Sequence, residues 1–183
     1  MQDAHPNATV STWAFDEHRI GLKSILRRIW APAGQRPEAI VAHRYQWMYV
    51  YGFVQPTTGA TEWWLLPTVR ADILSQVLAA FAQAVGASPT HQVVLVLDGA
   101  GWHKSRSLMV PDHLHLVFLP PYSPELQPAE RLWPLSNEPL VNRTFHDLSE
   151  LETIQAERCR TLQSLPALIH ARTAFHWWPG VNP

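Results

Sequence analysis

The chain has 183 residues, 46% of them hydrophobic and 16% charged, with a formal net charge of −1. This length suits one domain with a buried core, the composition excludes intrinsic disorder, and the near-neutral balance excludes a uniformly basic nucleic-acid binder. A single cysteine, Cys159, rules out an internal disulfide and any cysteine-based zinc cluster. The longest aliphatic run, Val93 to Leu97, is far too short for a membrane span. The opening "MQDAHPNATV" lacks the basic and apolar regions of a secretory signal, so a soluble cytoplasmic protein is expected.

"STWAF", just before Asp16, is apolar and β-prone and reads as a buried strand. "RYQWMYVYGFV" (Arg44 to Val54) and "GATEWWLLP" (Gly59 to Pro67) read as a hairpin with Thr57, Thr58 and Gly59 at its tip. "ADILSQVLAAFAQAV" (Ala71 to Val85) carries Ile73, Val77, Leu78 and Phe81 at helical spacing, and Gly86 stops it. "QVVLVL" (Gln92 to Leu97) and "HLHLVFL" (His113 to Leu119) have the uninterrupted apolar character of central strands. Between them, "GAGWHKSRSLMV" is long enough for a short helix. A helical tail is expected from about Leu148 to Thr173, with Leu151, Ile154, Leu162, Leu165 and Leu168 as its core face. The order implies a mixed α/β sheet flanked by helices. Residues 1–11 form a tail, 12–150 the main domain and 151–183 a helical extension packed on it.

Three carboxylates stand at conspicuous places. Asp16 and Asp98 follow strands, where open α/β sheets put their sites. Glu130 lies within "LPPYSPELQPAERLW", whose prolines Pro120, Pro121 and Pro124 describe a stiff extended connector, while Pro128 suits the first turn of a helix. Alone, each has a plainer explanation: a turn cap for the aspartates, a helix-dipole partner for the glutamate. Together they converge in this order of elements, and clustered carboxylates repel unless a cation joins them. An oxygen-only set suits Mg²⁺ or Mn²⁺, and two such ions are the usual means of phosphodiester cleavage.

The blocks "FDEHRIGL", "VVLVLDGAGWHKS" and "LPPYSPELQPAERLW" resemble the three signature blocks of DDE transposases, and more narrowly the bacterial insertion-sequence branch of the mariner superfamily. "WAPAGQRP" (Trp30 to Pro37) and "NRTFHDLSEL" (Asn142 to Leu151) are similar to that branch as well, as is the short interval of 32 from Asp98 to Glu130. The resemblance implies an RNase H-like fold, with Asp16, Asp98 and Glu130 as a metal-binding catalytic triad and two Mg²⁺ or Mn²⁺ ions. It also implies double-stranded DNA (transposon ends and target) as partner, a homodimer, and cleavage followed by strand transfer. Glu125 falls on a non-catalytic acid of the pattern, and Glu17 points to the opposite strand face from Asp16. The family's upstream helix-turn-helix segment is missing from this chain. "PLSN" (Pro134 to Asn137) stands where relatives carry a basic pair, and Pro134 should shorten the helix. A catalytically silent remnant that only binds DNA or protein, and a host nuclease on the same fold, are the alternatives.

Six basic residues between Arg19 and Arg44 (Arg19, Lys23, Arg27, Arg28, Arg36, Arg44) face one acid, Glu38, a local surplus suited to phosphates or to a solvated loop. Lys104 and Arg106 join Arg19, Lys23, Arg27, Arg28 and Arg36 as expected DNA contacts, with His103 as a phosphate contact or a support behind Asp98. Trp30 and Trp102 have the setting of base-stacking residues, whereas Trp13, Trp47, Trp63 and Trp133 are expected in the core.

Overall fold

The computed structural model describes residues 7–35, 38, 40–41 and 44–180. Arg36 lies outside them. Five strands form one mixed sheet in the order β3-β2-β1-β4-β5. β1 (Thr9–Gly21), β2 (Trp47–Gln55) and β3 (Ala60–Leu66) make an antiparallel meander, while β4 (His91–Leu97) and β5 (Leu114–Phe118) add on parallel to β1. The parallel step from β3 to β4 crosses over through helix α1 (Ala71–Ala84), as such connections require.

Alternation along the strands divides the apolar residues between two cores. On one face Phe15, Tyr51, Phe53, Leu95 and Leu97 pack with Leu74, Leu78 and Phe81 of α1, and Phe53 stacks on Phe81 at 4.1 Å. On the other, Ala14, Val50, Val54 and Val96 pack with Trp133, Leu151, Leu162 and Ile169. These come from the one-turn helix α2 (Trp133–Ser136), α3 (Leu148–Gln163) and α4 (Pro166–Thr173). The β2–β3 turn touches α4: a Cβ on Gly59, which has φ of +77°, would lie 1.9 Å from the Pro166 carbonyl oxygen. Only glycine fits there.

Several expectations are corrected. β1 begins at Thr9, inside the expected tail, and runs through to Gly21, so Asp16 lies mid-strand rather than at its end. The Asp98–His113 connection contains turns and no helix. The C-terminal helix is two helices, because Pro166 has no amide hydrogen to continue α3 and instead starts α4. The break shifts the register: Ile169 and Thr173 are buried, while Leu165 is exposed. Trp47 is also exposed and carries the Arg19 guanidinium over its ring at 5.5 Å. Among the described residues no helix is long and apolar enough to cross a membrane.

Candidate active site

The last rung of the parallel β1–β4 ladder pairs Ala14 with Val96. Two residues further along each strand direction stand Asp16 and Asp98, so side-chain alternation sends both toward the same face of the sheet. Asp16 is held at both oxygens: Oδ1 accepts the Glu17 amide at 2.9 Å and Oδ2 accepts the Trp133 indole N–H at 3.0 Å. Burial, and then the charges of Glu130 and Glu17, push its carboxyl up to about 8 despite those two donors.

The proline arm begins where Leu119 N–H bonds to Leu97 O at 2.9 Å. Leu119 to Pro124 then wall a cleft of about 390 Å³ that contains Asp16, Asp98, Lys104 and Glu130. At its end a 3₁₀ turn, Pro128–Leu132, has Pro128 in its first turn as expected and carries Glu130. Gln127 fixes this turn to the sheet. Its side chain is buried, donates to Phe15 O at 2.9 Å and accepts from the Ala129 amide at 3.4 Å. Burial, and then the charge of Asp98, raise the Glu130 carboxyl, and hydrogen bonding with Asp16 offsets part of that rise. Glu125 stands exposed outside the cleft lining. α2 ends at Ser136, two residues after Pro134, which lies in its first turn.

Asp98 is open to solvent, with its side chain 55% exposed. Its Oδ1 accepts the Ala100 amide at 3.0 Å and lies 2.7 Å from His103 Nδ1. The His103 ring is buried and meets Glu17 on its other side, with Nε2 2.9 and 3.1 Å from the two carboxylate oxygens. It therefore stands behind Asp98 and offers no surface to a phosphate, a correction to its grouping with the DNA contacts. Among the described residues, no three His, Cys, Asp or Glu side chains are gathered closely enough to hold a cation as they stand. Asp16 and Glu130 touch, while Asp98 is turned toward His103.

The other expected DNA contacts are spread over the surface. Lys104 lies at the cleft with its ammonium 5.3 Å from the Phe118 ring centre, and Arg106 is exposed nearby. Arg27 and Arg28 line a broad open groove of about 910 Å³ with Leu26, Ile29, Ile40 and Arg143; Arg19 and Lys23 line another with Arg44. Trp30 is fully exposed in the same long loop. Trp102 is partly exposed and donates its indole N–H to Glu17 at 3.1 Å. Sequence reasoning did not identify Gln127, Gly52, His18 or the Glu17–His103 contact. His18 stacks on Trp133 at 5.0 Å with an interplanar angle of 16°, and its Nε2 is 2.8 Å from Asn137 Nδ2.

The profile of the DDE superfamily endonucleases matches residues 11–152, most of the chain. The chain belongs to this superfamily. A relative from Sinorhizobium fredii (strain NBRC 101917 / NGR234), the uncharacterized protein y4pE/y4sA, is 38% identical over 108 residues, covering 58% of this chain and 78% of that protein. Among solved structures, a pre-cleavage Mos1 transpososome superposes with a TM-score of 0.61 at 16% identity, over 90% of this chain and 55% of the Mos1 chain. The mariner Mos1 paired-end complex with Mg gives 0.59 at 18% identity, over 90% and 55%. At such identities the likeness concerns the fold, which is RNase H-like. This DDE superfamily chain spans little more than half the length of the Mos1 chains it resembles.

Proposed function

We propose that this protein is the catalytic part of a transposase, cutting a DNA phosphodiester at the cleft and transferring the freed end to target DNA. The observation that carries this reading is that Asp16, Asp98 and Glu130 line one cleft, Glu130 being brought there at the end of the proline arm. Carboxyls brought together in an all-oxygen setting raise one another's pKa and suit a hard divalent cation between them. Asp16, Asp98 and Glu130 would hold Mg²⁺ or Mn²⁺, two ions in the expected arrangement. Bound there, the metal would supply charge stabilisation and activation of the attacking oxygen. The similar Mos1 complexes with Mn and with Mg support this choice.

In the first reaction water forms a bond to phosphorus and the 3′-oxygen leaves as a hydroxyl. In the second, that 3′-hydroxyl attacks a target phosphodiester and a target 3′-hydroxyl leaves, so the number of phosphodiester bonds is conserved. Arg19, Lys23, Arg27, Arg28, Lys104 and Arg106 would neutralise phosphates, with Trp30 available for stacking. Recognition of transposon ends is assigned to a helix-turn-helix segment outside this chain, and the working form to a homodimer. A second reading, a silent remnant, is favoured by one observation: no three described ligands are gathered for a cation.

The test is a nicking and strand-transfer assay on DNA carrying the inverted repeats that flank the gene, with Mn²⁺ and with Mg²⁺. Metal-dependent products that vanish in Glu130→Gln support the transposase. Equal cutting by that variant removes Glu130 from the site. Cutting without joining identifies a nuclease, and no cutting even with an upstream helix-turn-helix segment restored identifies the remnant.

A further inference from the structure

Glu17 is a carboxylate buried on the α1 face of the sheet, its side chain only 4% exposed, where an unpaired charge is costly. Its side-chain hydrogen-bond partners among the described residues come from the turn that follows β4. The Trp102 indole N–H reaches Oε1 at 3.1 Å, and His103 Nε2 lies 2.9 and 3.1 Å from the two carboxylate oxygens. The other nitrogen of the same ring, Nδ1, lies 2.7 Å from Asp98 Oδ1 and 3.1 Å from the Asp98 backbone oxygen. Both ring nitrogens thus face oxygen acceptors: Nε2 the Glu17 carboxylate, and Nδ1 the Asp98 backbone oxygen, with Oδ1 alongside it. The ring is wholly buried and packs against Phe15 at 5.7 Å, so it has no freedom to swing away. The Ala100 amide, held in the same turn, fixes Asp98 Oδ1 from a second direction at 3.0 Å.

We propose that His103 is a positioning residue for Asp98, anchored from the far face of the sheet by Glu17. The proposal rests on the reading of Asp98 as a cation ligand. Asp98 lies past the end of β4 with more than half of its side chain exposed. With the Ala100 amide alone on Oδ1 and no ring beside it, Asp98 would sample rotamers that leave Asp16 and Glu130 without their partner. A donor behind a ligating oxygen sets its orientation, and loss of such a partner weakens metal affinity by about 10- to 100-fold. The device runs through the sheet: a residue adjacent to Asp16 on β1, yet on the opposite face, holds the residue that aims Asp98.

Two substitutions separate positioning from mere packing. In His103→Asn the amide nitrogen takes the place of Nδ1 and keeps the donor to Asp98, but leaves Glu17 unpaired. In His103→Gln the amide nitrogen takes the place of Nε2 and keeps the donor to Glu17, but leaves Asp98 held by the Ala100 amide alone. Mn²⁺ affinity is measured by calorimetry on the whole chain, and thermal melting is measured without metal. The expected result is opposite rank orders: the Gln variant binds Mn²⁺ about tenfold or more weakly yet melts higher than the Asn variant, which binds more tightly of the two. If affinity follows melting temperature instead, His103 is structural only and the proposal is overturned. Glu17→Gln keeps an acceptor of the same shape for Nε2–H and should bind Mn²⁺ like the parent, even if neither His103 variant folds. A tenfold loss there would overturn the hydrogen-bonded geometry as the operative quantity. Absence of Mn²⁺ binding by the parent would overturn the reading of the cleft itself, and this inference with it.

Discussion

Gly52 stands directly opposite Asp16 in the β1–β2 ladder, and its missing side chain is what lets the Trp133 indole lie flat enough on the sheet to reach Asp16. A Cβ on Gly52 would come within 2.8 Å of Trp133 Cη2 and 3.2 Å of Trp63 Cζ3. Gly52→Ala should therefore push Trp133 outward, costing about 1–3 kcal/mol through overpacking. Because Asp16 loses its indole donor in the same step, Mn²⁺ affinity should fall alongside stability. Urea unfolding and calorimetry on one preparation check both. Unchanged affinity would mean that Trp133 does not orient Asp16.

Gln127 joins the Glu130 turn to the middle of β1. Gln127→Ala leaves the buried Phe15 carbonyl without its side-chain donor and removes the acceptor of the Ala129 amide. A loss of about 1–3 kcal/mol is expected, together with weaker cleavage, since Glu130 is then carried by a looser turn. A variant that loses stability but cleaves at the parent rate would show that the proline arm alone positions Glu130.

The acidic pair makes the metal-free protein sensitive to pH in a definite direction. Asp16 titrates at about 8 in the folded chain, against an ordinary 3.8 when unfolded. Between those values the folded state binds more protons, so stability falls as pH rises from about 4 to about 8. Glu130, raised by burial and by Asp98, acts in the same direction. So does His103: burial alone would lower it, but Glu17 and Asp98 outweigh that and raise it, so the stability it contributes below 6.5 is lost on the alkaline side. Melting temperature should therefore drop from pH 5 to pH 8, and saturating Mg²⁺ should flatten the slope. Asp16→Asn should remove the largest part of it. A melting temperature that rises over this range would contradict the pairing.

The bones of this site were legible in the sequence because each has a local cause. The apolar run Val93 to Leu97 announced a central strand with Asp98 after it. Prolines announced the arm that ends in Glu130. What was not legible depends on register and on contacts across the sheet: that Gly52 faces Asp16, that Gln127 reaches Phe15, that the turn after β4 folds back to Glu17. Alternation correctly sent Glu17 to the far face, but nothing local revealed that His103 would reach from there to Asp98. The helix break at Pro166 was readable and was overrun by the apolar spacing of Leu162, Leu165 and Leu168. Asp16 was misplaced at a strand end because "DEH" looks polar; His18 in fact stacks on Trp133, and Glu17 pairs with His103.

The basic loop gives a prediction about DNA independent of the chemistry. Arg27 and Arg28 are exposed, side by side, in the groove beside Arg143. If each contacts one phosphate, replacing both with alanine should reduce the slope of log affinity against log salt by about 2, with no change in Mn²⁺ affinity. Fluorescence anisotropy on a labelled duplex across a salt series measures this. An unchanged slope would assign the groove to something other than DNA.

The most direct measurement is anomalous diffraction from crystals of the protein soaked in Mn²⁺. The account predicts manganese density in the cleft, with oxygens of Asp16, Asp98 and Glu130 at about 2.1 Å and the Asp16–Glu130 hydrogen bond replaced by the ion. Crystals of Glu130→Gln should lose or strongly weaken that density. Manganese bound elsewhere, or a cleft in which Glu130 points away while Glu125 enters, would contradict the account.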